Sequence, residues 1–208
     1  MVFIRSAIIQ DIESMHATGL ATMAYHYFDF REPKKQDCYG LLSSLILQLS
    51  VDSDSCFNIL SQLYSNHSRG LRQPDIKALE KCLTDMLSLP GKTQMSPIHI
   101  VVDALDECPN LSGMPSAREE VLNLIKELVN LKFPSVHLCV ASRPEIDIRM
   151  VLEPLTPLSI SLHDESGQKE DIIAYIKSVV RSDTEMQKWR EDDQNLVIET
   201  LSQNADGM

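Results

Sequence analysis

Two short apolar runs constrain this chain more than anything else in it. Residues 97–103, PIHIVVD, and the run VHLCVAS ending at Ser142 are continuous apolar stretches of the kind buried on both faces of a parallel sheet. Between them SAREEVLNLIKELVNL reads as a helix, and strand, helix, strand in that order implies parallel pairing through a right-handed crossover.

The rest of the chain repeats the alternation. Residues 20–30, LATMAYHYFDF, are aromatic and alternating and meet the breaker Pro33, so they read as a first strand. Ahead of them Ile8, Ile9, Ile12 and Met15 share one helical face that ends at Gly19. Residues 36–89 carry three helical patterns. These are CYGLLSSLILQLS, then CFNILSQLY behind the cap candidates Asp52 and Ser53, then PDIKALEKCLTDMLSL with Pro74 at its first turn. After VHLCVAS a short helical piece reaches Leu152, LSISL at residues 158–162 makes a fourth strand, and QKEDIIAYIKSVV and DQNLVIETLSQ are closing helices. The expected fold is a three-layer α/β domain, a parallel sheet flanked by helices, with all 208 residues in one unit.

Composition narrows the function. A formal charge of −11 works against nucleic-acid binding, which needs a basic face. No run of eighteen uncharged apolar residues occurs, and Arg5 and Asp11 come too early for a signal-peptide core, so a soluble, cytoplasmic protein is expected. Cys38, Cys56, Cys82, Cys108 and Cys139 include no CxxC pair, which points to buried reduced thiols.

In open parallel sheets chemistry collects at the carboxyl ends of the strands. There IHIVVDALDEC places Asp103 at a strand tip, with Asp106 and Glu107 one turn later. Crowded carboxylates are costly without a positive partner, and a magnesium ion bridging nucleotide phosphates supplies one. In P-loop NTPases such an acidic strand, Walker B, holds magnesium with its first Asp and orients the attacking water with a following acid. Asp103 fits the metal ligand, and Glu107 with Asp106 the catalytic acids. The next strand ends in Ser142 and Arg143, a polar group and a cation that would face the γ-phosphate. The plainer alternatives are that Asp106 and Glu107 face solvent in a turn, and that Arg143 only pairs with Asp103 or Glu145. His26, His99 and His137 lack converging partners for a metal, and Ser142 has no base beside it. Gly91, Lys92 and Thr93 spell GKT, but Met86 stands where a phosphate loop needs glycine, so they read as a surface turn.

The combination of YFDFRE, KKQD, GLLSSLILQLS, IHIVVDALDECP and LCVASRPE resembles the NACHT domains of STAND-class P-loop NTPases. The likeness is strongest to the nephrocystin-like N-terminal type of fungal NOD-like and heterokaryon-incompatibility proteins. Ala104 supplies the small residue that follows the first Asp in that family. The resemblance implies a switch driven by ATP or GTP with Mg2+, working with attached repeats and effector domains. It also implies a strand, a glycine-rich loop and a Gly-Lys-Ser/Thr leading into SAIIQDIESM, and upstream of Ser6 the sequence offers only MVFIR. The expectation is therefore a partial NACHT domain over residues 1–208 that lacks the P-loop strand, is cut after LSQNADGM and does not turn over nucleotide alone. Loss of a central strand would expose sheet edges, so protein partners, parent domains or further copies of the chain are expected. The competing expectation is an interaction scaffold that uses no nucleotide.

Overall fold

A computed structural model describes residues 12, 14–89, 96–110, 115–160 and 166–204. The chain divides into two compact units, residues 2–156 and residues 157–208.

The first unit is built on a parallel sheet of three strands, β1 (Thr22–Tyr27), β2 (Ile98–Asp103) and β3 (Val136–Val140), in the order β1-β2-β3. Thr22 pairs with Ile98 and Tyr27 with Asp103; Val102 pairs with Val140. All three carboxyl ends therefore open on one edge. Both apolar runs form strands, but only β2 is largely buried; β3, at the edge of the sheet, is half-buried with His137 exposed, and the first strand is shorter than residues 20–30. Residues 14–17 are helical and end in a glycine cap: Gly19 takes φ +73°, its N–H donates to His16 C=O, and Leu20 N–H donates to Met15 C=O at 2.9 Å. Ile8 and Ile9 lie outside the described residues, as do Gly91, Lys92 and Thr93.

Between β1 and β2 run α1 (Cys38–Asp52), α2 (Asp54–Asn66) and α3 (Ile76–Leu87). The Asp37 carboxylate caps α1 by accepting from Gly40 N–H at 2.8 Å. Gly40 is forced there, since a Cβ would meet the Lys34 carbonyl oxygen at 2.1 Å. Ser53, not Asp52, caps α2. Asp75 caps α3 through Ala78 N–H, so Pro74 stands outside the helix and not in its first turn. Then α4 (Ala117–Asn130) follows its cap Ser116, and α5 (Ile146–Leu152) follows β3.

One sheet face is the core. Ala24, Ile98, Ile100 and Val102 pack with Leu41, Leu42, Leu45 and Leu49 of α1, Leu83 and Met86 of α3, and Val121 and Ile125 of α4. These helical residues recur at three- and four-residue spacing, which is why each helix turns one stripe inward. On the opposite face Met23, Tyr25, Tyr27, His99, His137 and Cys139 stay half-buried or exposed, and the His99 and His137 rings stack at 5.1 Å. The outer edge of β1 is covered at Tyr25 by a side chain: Gln48 accepts from Tyr25 N–H and donates to Tyr25 C=O. Among the described residues no strand pairs the far side of β3.

The expected fourth strand does not form where it is described: Leu158, Ser159 and Ile160 pair with nothing as a strand, and Ser161 and Leu162 lie outside the described residues. A strand needs a neighbouring ladder, and an alternating pentapeptide does not supply one. In the second unit α6 (Ser166–Ser182) packs against α7 (Glu191–Asn204), burying Val180 and Ile198. The cysteines are free; Cys38, Cys56, Cys82 and Cys108 are buried, and burial pushes the Cys38 and Cys108 thiols up to about 12. No helix of the described residues is long and apolar enough to cross a membrane.

Candidate functional site

The site is assembled where the three strands stop. Asp103 ends β2 with its side chain buried at the sheet edge. Its Oδ1 accepts from Ala104 N–H at 2.7 Å, and its carbonyl accepts from Phe28 N–H, locking the ends of β1 and β2 together. Ala104 then takes the left-handed conformation, φ +54° and ψ +42°, a strained choice for a residue with a Cβ. The small side chain keeps that strain tolerable. The kink is pinned on its far side by Leu105, which is fully buried and donates its N–H to Ala141 C=O.

Residues Leu105–Glu107 form one 3-10 turn. Successive side chains in such a turn point about 120° apart, so the neighbouring acids diverge. Asp106 turns toward β3. Its Oδ1 accepts from Arg143 N–H at 3.0 Å, and its Oδ2 lies 3.4 Å from Arg143 Nε. The Asp106 side chain is only 6% exposed, whereas that of Arg143 is 72% exposed. Glu107 turns toward β1, where its Oε2 accepts a long 3.4 Å bond from Phe30 N–H. Ser142 donates its hydroxyl to Arg143 C=O at 3.0 Å. Of the five residues singled out by sequence, the structure joins Asp106 to Arg143 directly and sends Glu107 the other way. The ion-pair partner of Arg143 is Asp106.

The rim contains groups that sequence reasoning missed. Asp29, buried just past β1, receives Arg31 Nε and Nη2 at 2.9 Å each and Arg31 N–H at 2.9 Å. The hydrogen bonds from the Arg31 guanidinium and backbone hold the Asp29 carboxyl at about 2, below the usual range. Gln36 Nε2 donates to Phe30 C=O, and Cys108 Sγ donates to Gln36 C=O at 3.2 Å, so the loop after β1 is tied to the loop after β2.

The most buried cation of the rim is Arg118 on α4, with a side chain 7% exposed. It donates from Nε to Cys108 C=O at 2.9 Å and from Nη2 to Asp106 C=O at 2.6 Å. Its Nη1 bonds the carboxylates of Glu145 and Asp147, the latter at 3.2 Å. The signal was present in the sequence. Arg118, Val121, Leu122 and Ile125 share one helical stripe, so a charge stands on an apolar face, where a charge needs a partner.

A parallel three-stranded sheet with acids and cations interleaved along its carboxyl edge defines an α/β domain with a polar strand-end site. Residues 3–143, more than half of the chain and all three strands, match the family described as nephrocystin 3, N-terminal, and the chain belongs to that family. No curated protein matches the chain, and no solved structure does.

Proposed function

We propose that this chain is the acidic-strand portion of a NACHT-type nucleotide switch of the STAND class, as found in fungal NOD-like signalling proteins. The observation that carries the reading is the delivery of Asp103, Glu107 and Arg143 by adjacent strand ends to one edge of a parallel sheet. The donor set suits a hard cation: Asp103 brings a carboxylate to the end of β2, and Mg2+ is held by one or two carboxylates together with phosphate oxygens and water.

In this reading Asp103 holds the ion and Glu107 orients a water. Arg143 faces the phosphates with its exposed guanidinium, and Ser142 lies beside it. Bound Mg2+ would supply neutralising charge to the phosphate oxygens. Asp106 takes a role other than the catalytic one expected from sequence, because its carboxylate is spent on Arg143 and shielded from solvent. It positions the arginine. The 208 residues contain no glycine-rich loop with lysine in phosphate-binding spacing, and loop amides with that lysine provide most triphosphate affinity in such sites. On this reading the 208 residues bind nucleotide weakly and are expected not to turn it over.

Titration with fluorescent ATP and GTP analogues, with and without Mg2+, tests the reading. Weak Mg2+-dependent binding that disappears in Asp103→Asn is the expected result. Robust hydrolysis abolished by Glu107→Gln would overturn the incompleteness, and absence of any binding would overturn the nucleotide role. A second reading, an interaction scaffold that needs no nucleotide, draws on the way Asp106 and Asp29 are satisfied by Arg143 and Arg31 within the chain. Stable self-association without nucleotide binding would favour it.

A further inference from the structure

We infer that Arg118 is a positioning residue that clamps the acidic loop after β2 to the loop after β3, so that the two move as one body. The inference rests on the reading of Arg143 as the phosphate-facing cation for its purpose, though not for its geometry. One guanidinium reaches both sides. Its Nε and Nη2 hold the carbonyls of Cys108 and Asp106, and its Nη1 holds the carboxylates of Glu145 and Asp147 at the start of α5. The backbone joins in, with Arg118 N–H donating to Pro109 C=O at 3.2 Å.

The clamp is braced by neighbours. Ser116, the cap of α4, donates its hydroxyl to Asn110 Oδ1, and Asn110 Nδ2 donates to Asp147 Oδ2 at 3.0 Å. Asp106 extends the chain of contacts from its carbonyl, held by Arg118, to its carboxylate, which accepts from Arg143 N–H. Arg118 thus fixes the residue that fixes Arg143. The planar fork of arginine offers five donors in set directions, and a lysine ammonium on a flexible stem cannot serve two carbonyls and two carboxylates together. The fork, carried on the buried stripe of α4, joins both loops through one rigid group. A ligand that displaces the Asp106 turn must therefore also displace the start of α5.

Amide hydrogen exchange by NMR on the full chain without nucleotide tests the clamp. Glu145→Gln with Asp147→Asn keeps side-chain shape and removes the charge on the α5 side alone. Arg118→Lys weakens both sides while keeping a cation. In both variants exchange at the Leu105 and Arg143 amides should rise on the order of tenfold, as expected when charge-assisted bonds restraining a local opening are lost. Amides of α1 should keep their rates. If the double variant accelerates only residues 145–149, or Arg118→Lys leaves Arg143 unchanged, the two loops are independent and the clamp is wrong. A chain-wide acceleration would likewise overturn it, reducing Arg118 to general core support. Since no nucleotide is present, failure here is separate from failure of the titration above.

Discussion

Gln48 meets Tyr25 as a neighbouring strand would: its side-chain oxygen accepts from Tyr25 N–H at 3.1 Å and its Nε2 donates to Tyr25 C=O at 2.7 Å. One amide on α1 thereby occupies the donor and the acceptor that an edge strand leaves open. Gln48→Leu should lower unfolding free energy by about 1–2 kcal/mol, the cost of two lost hydrogen bonds on a partly solvated edge. Chemical denaturation measures the loss, and light scattering should show increased association. Unchanged stability with unchanged association would mean that the amide contributes nothing to closing the edge.

The buried His26 gives the domain an acid limit. Burial, the dominant cause, holds its imidazole down from 6.5 to about 4. The unfolded chain therefore takes up this proton first, so stability is full above about pH 6.5, declines as pH falls and levels off below about pH 4. The total is on the order of 3 kcal/mol. Denaturation midpoints collected across this window should fall, and the slope should flatten in His26→Gln. Parallel slopes in the two proteins would assign the decline to other groups.

Ala104 holds a left-handed conformation between Asp103 and the 3-10 turn. Ala104→Gly relieves the Cβ conflict and should stabilise the folded state by about 1 kcal/mol, whereas Ala104→Val should destabilise it by more than that. Equilibrium unfolding of the pair checks the order, and a glycine variant weaker than the parent would show that the kink is unstrained.

Asp106 and Arg143 should respond unequally to removal. Asp106→Ala strips the acceptor from Arg143 N–H in a shielded spot and should cost about 1–3 kcal/mol. Arg143→Ala removes an exposed guanidinium and should cost less than about 1 kcal/mol. Equal losses in thermal or chemical unfolding would contradict this division between a structural acid and an exposed cation.

Much of the fold was written in local pattern. IHIVVD and VHLCV read as strands and form them, although only the first is buried, and the stripes of α1, α3 and α4 follow from the spacing of their leucines, isoleucines and valines. Patterns needing a distant partner were harder to read. LSISL has strand composition, yet Leu158 to Ile160 find no ladder to join. Pro74 looked like a helix start because proline suits a first turn, but Asp75 offers the better cap and moves the boundary past it. At the site, sequence placed Asp103, Asp106, Glu107, Ser142 and Arg143 on one edge. The direction of each acid depended on the turn at Leu105–Glu107, which spacing alone does not disclose. Arg118 and Asp29 were missed because a lone cation on an apolar stripe and an acid within YFDFRE disclose their partners only once the loops are folded.

The two flanks of the sheet differ. Gln48 covers β1 at Tyr25, while among the described residues no strand pairs the far side of β3, the strand that leads into Ser142 and Arg143. A newcomer running parallel would end next to that arginine, and enlarging the sheet and completing its polar rim would then be the same event.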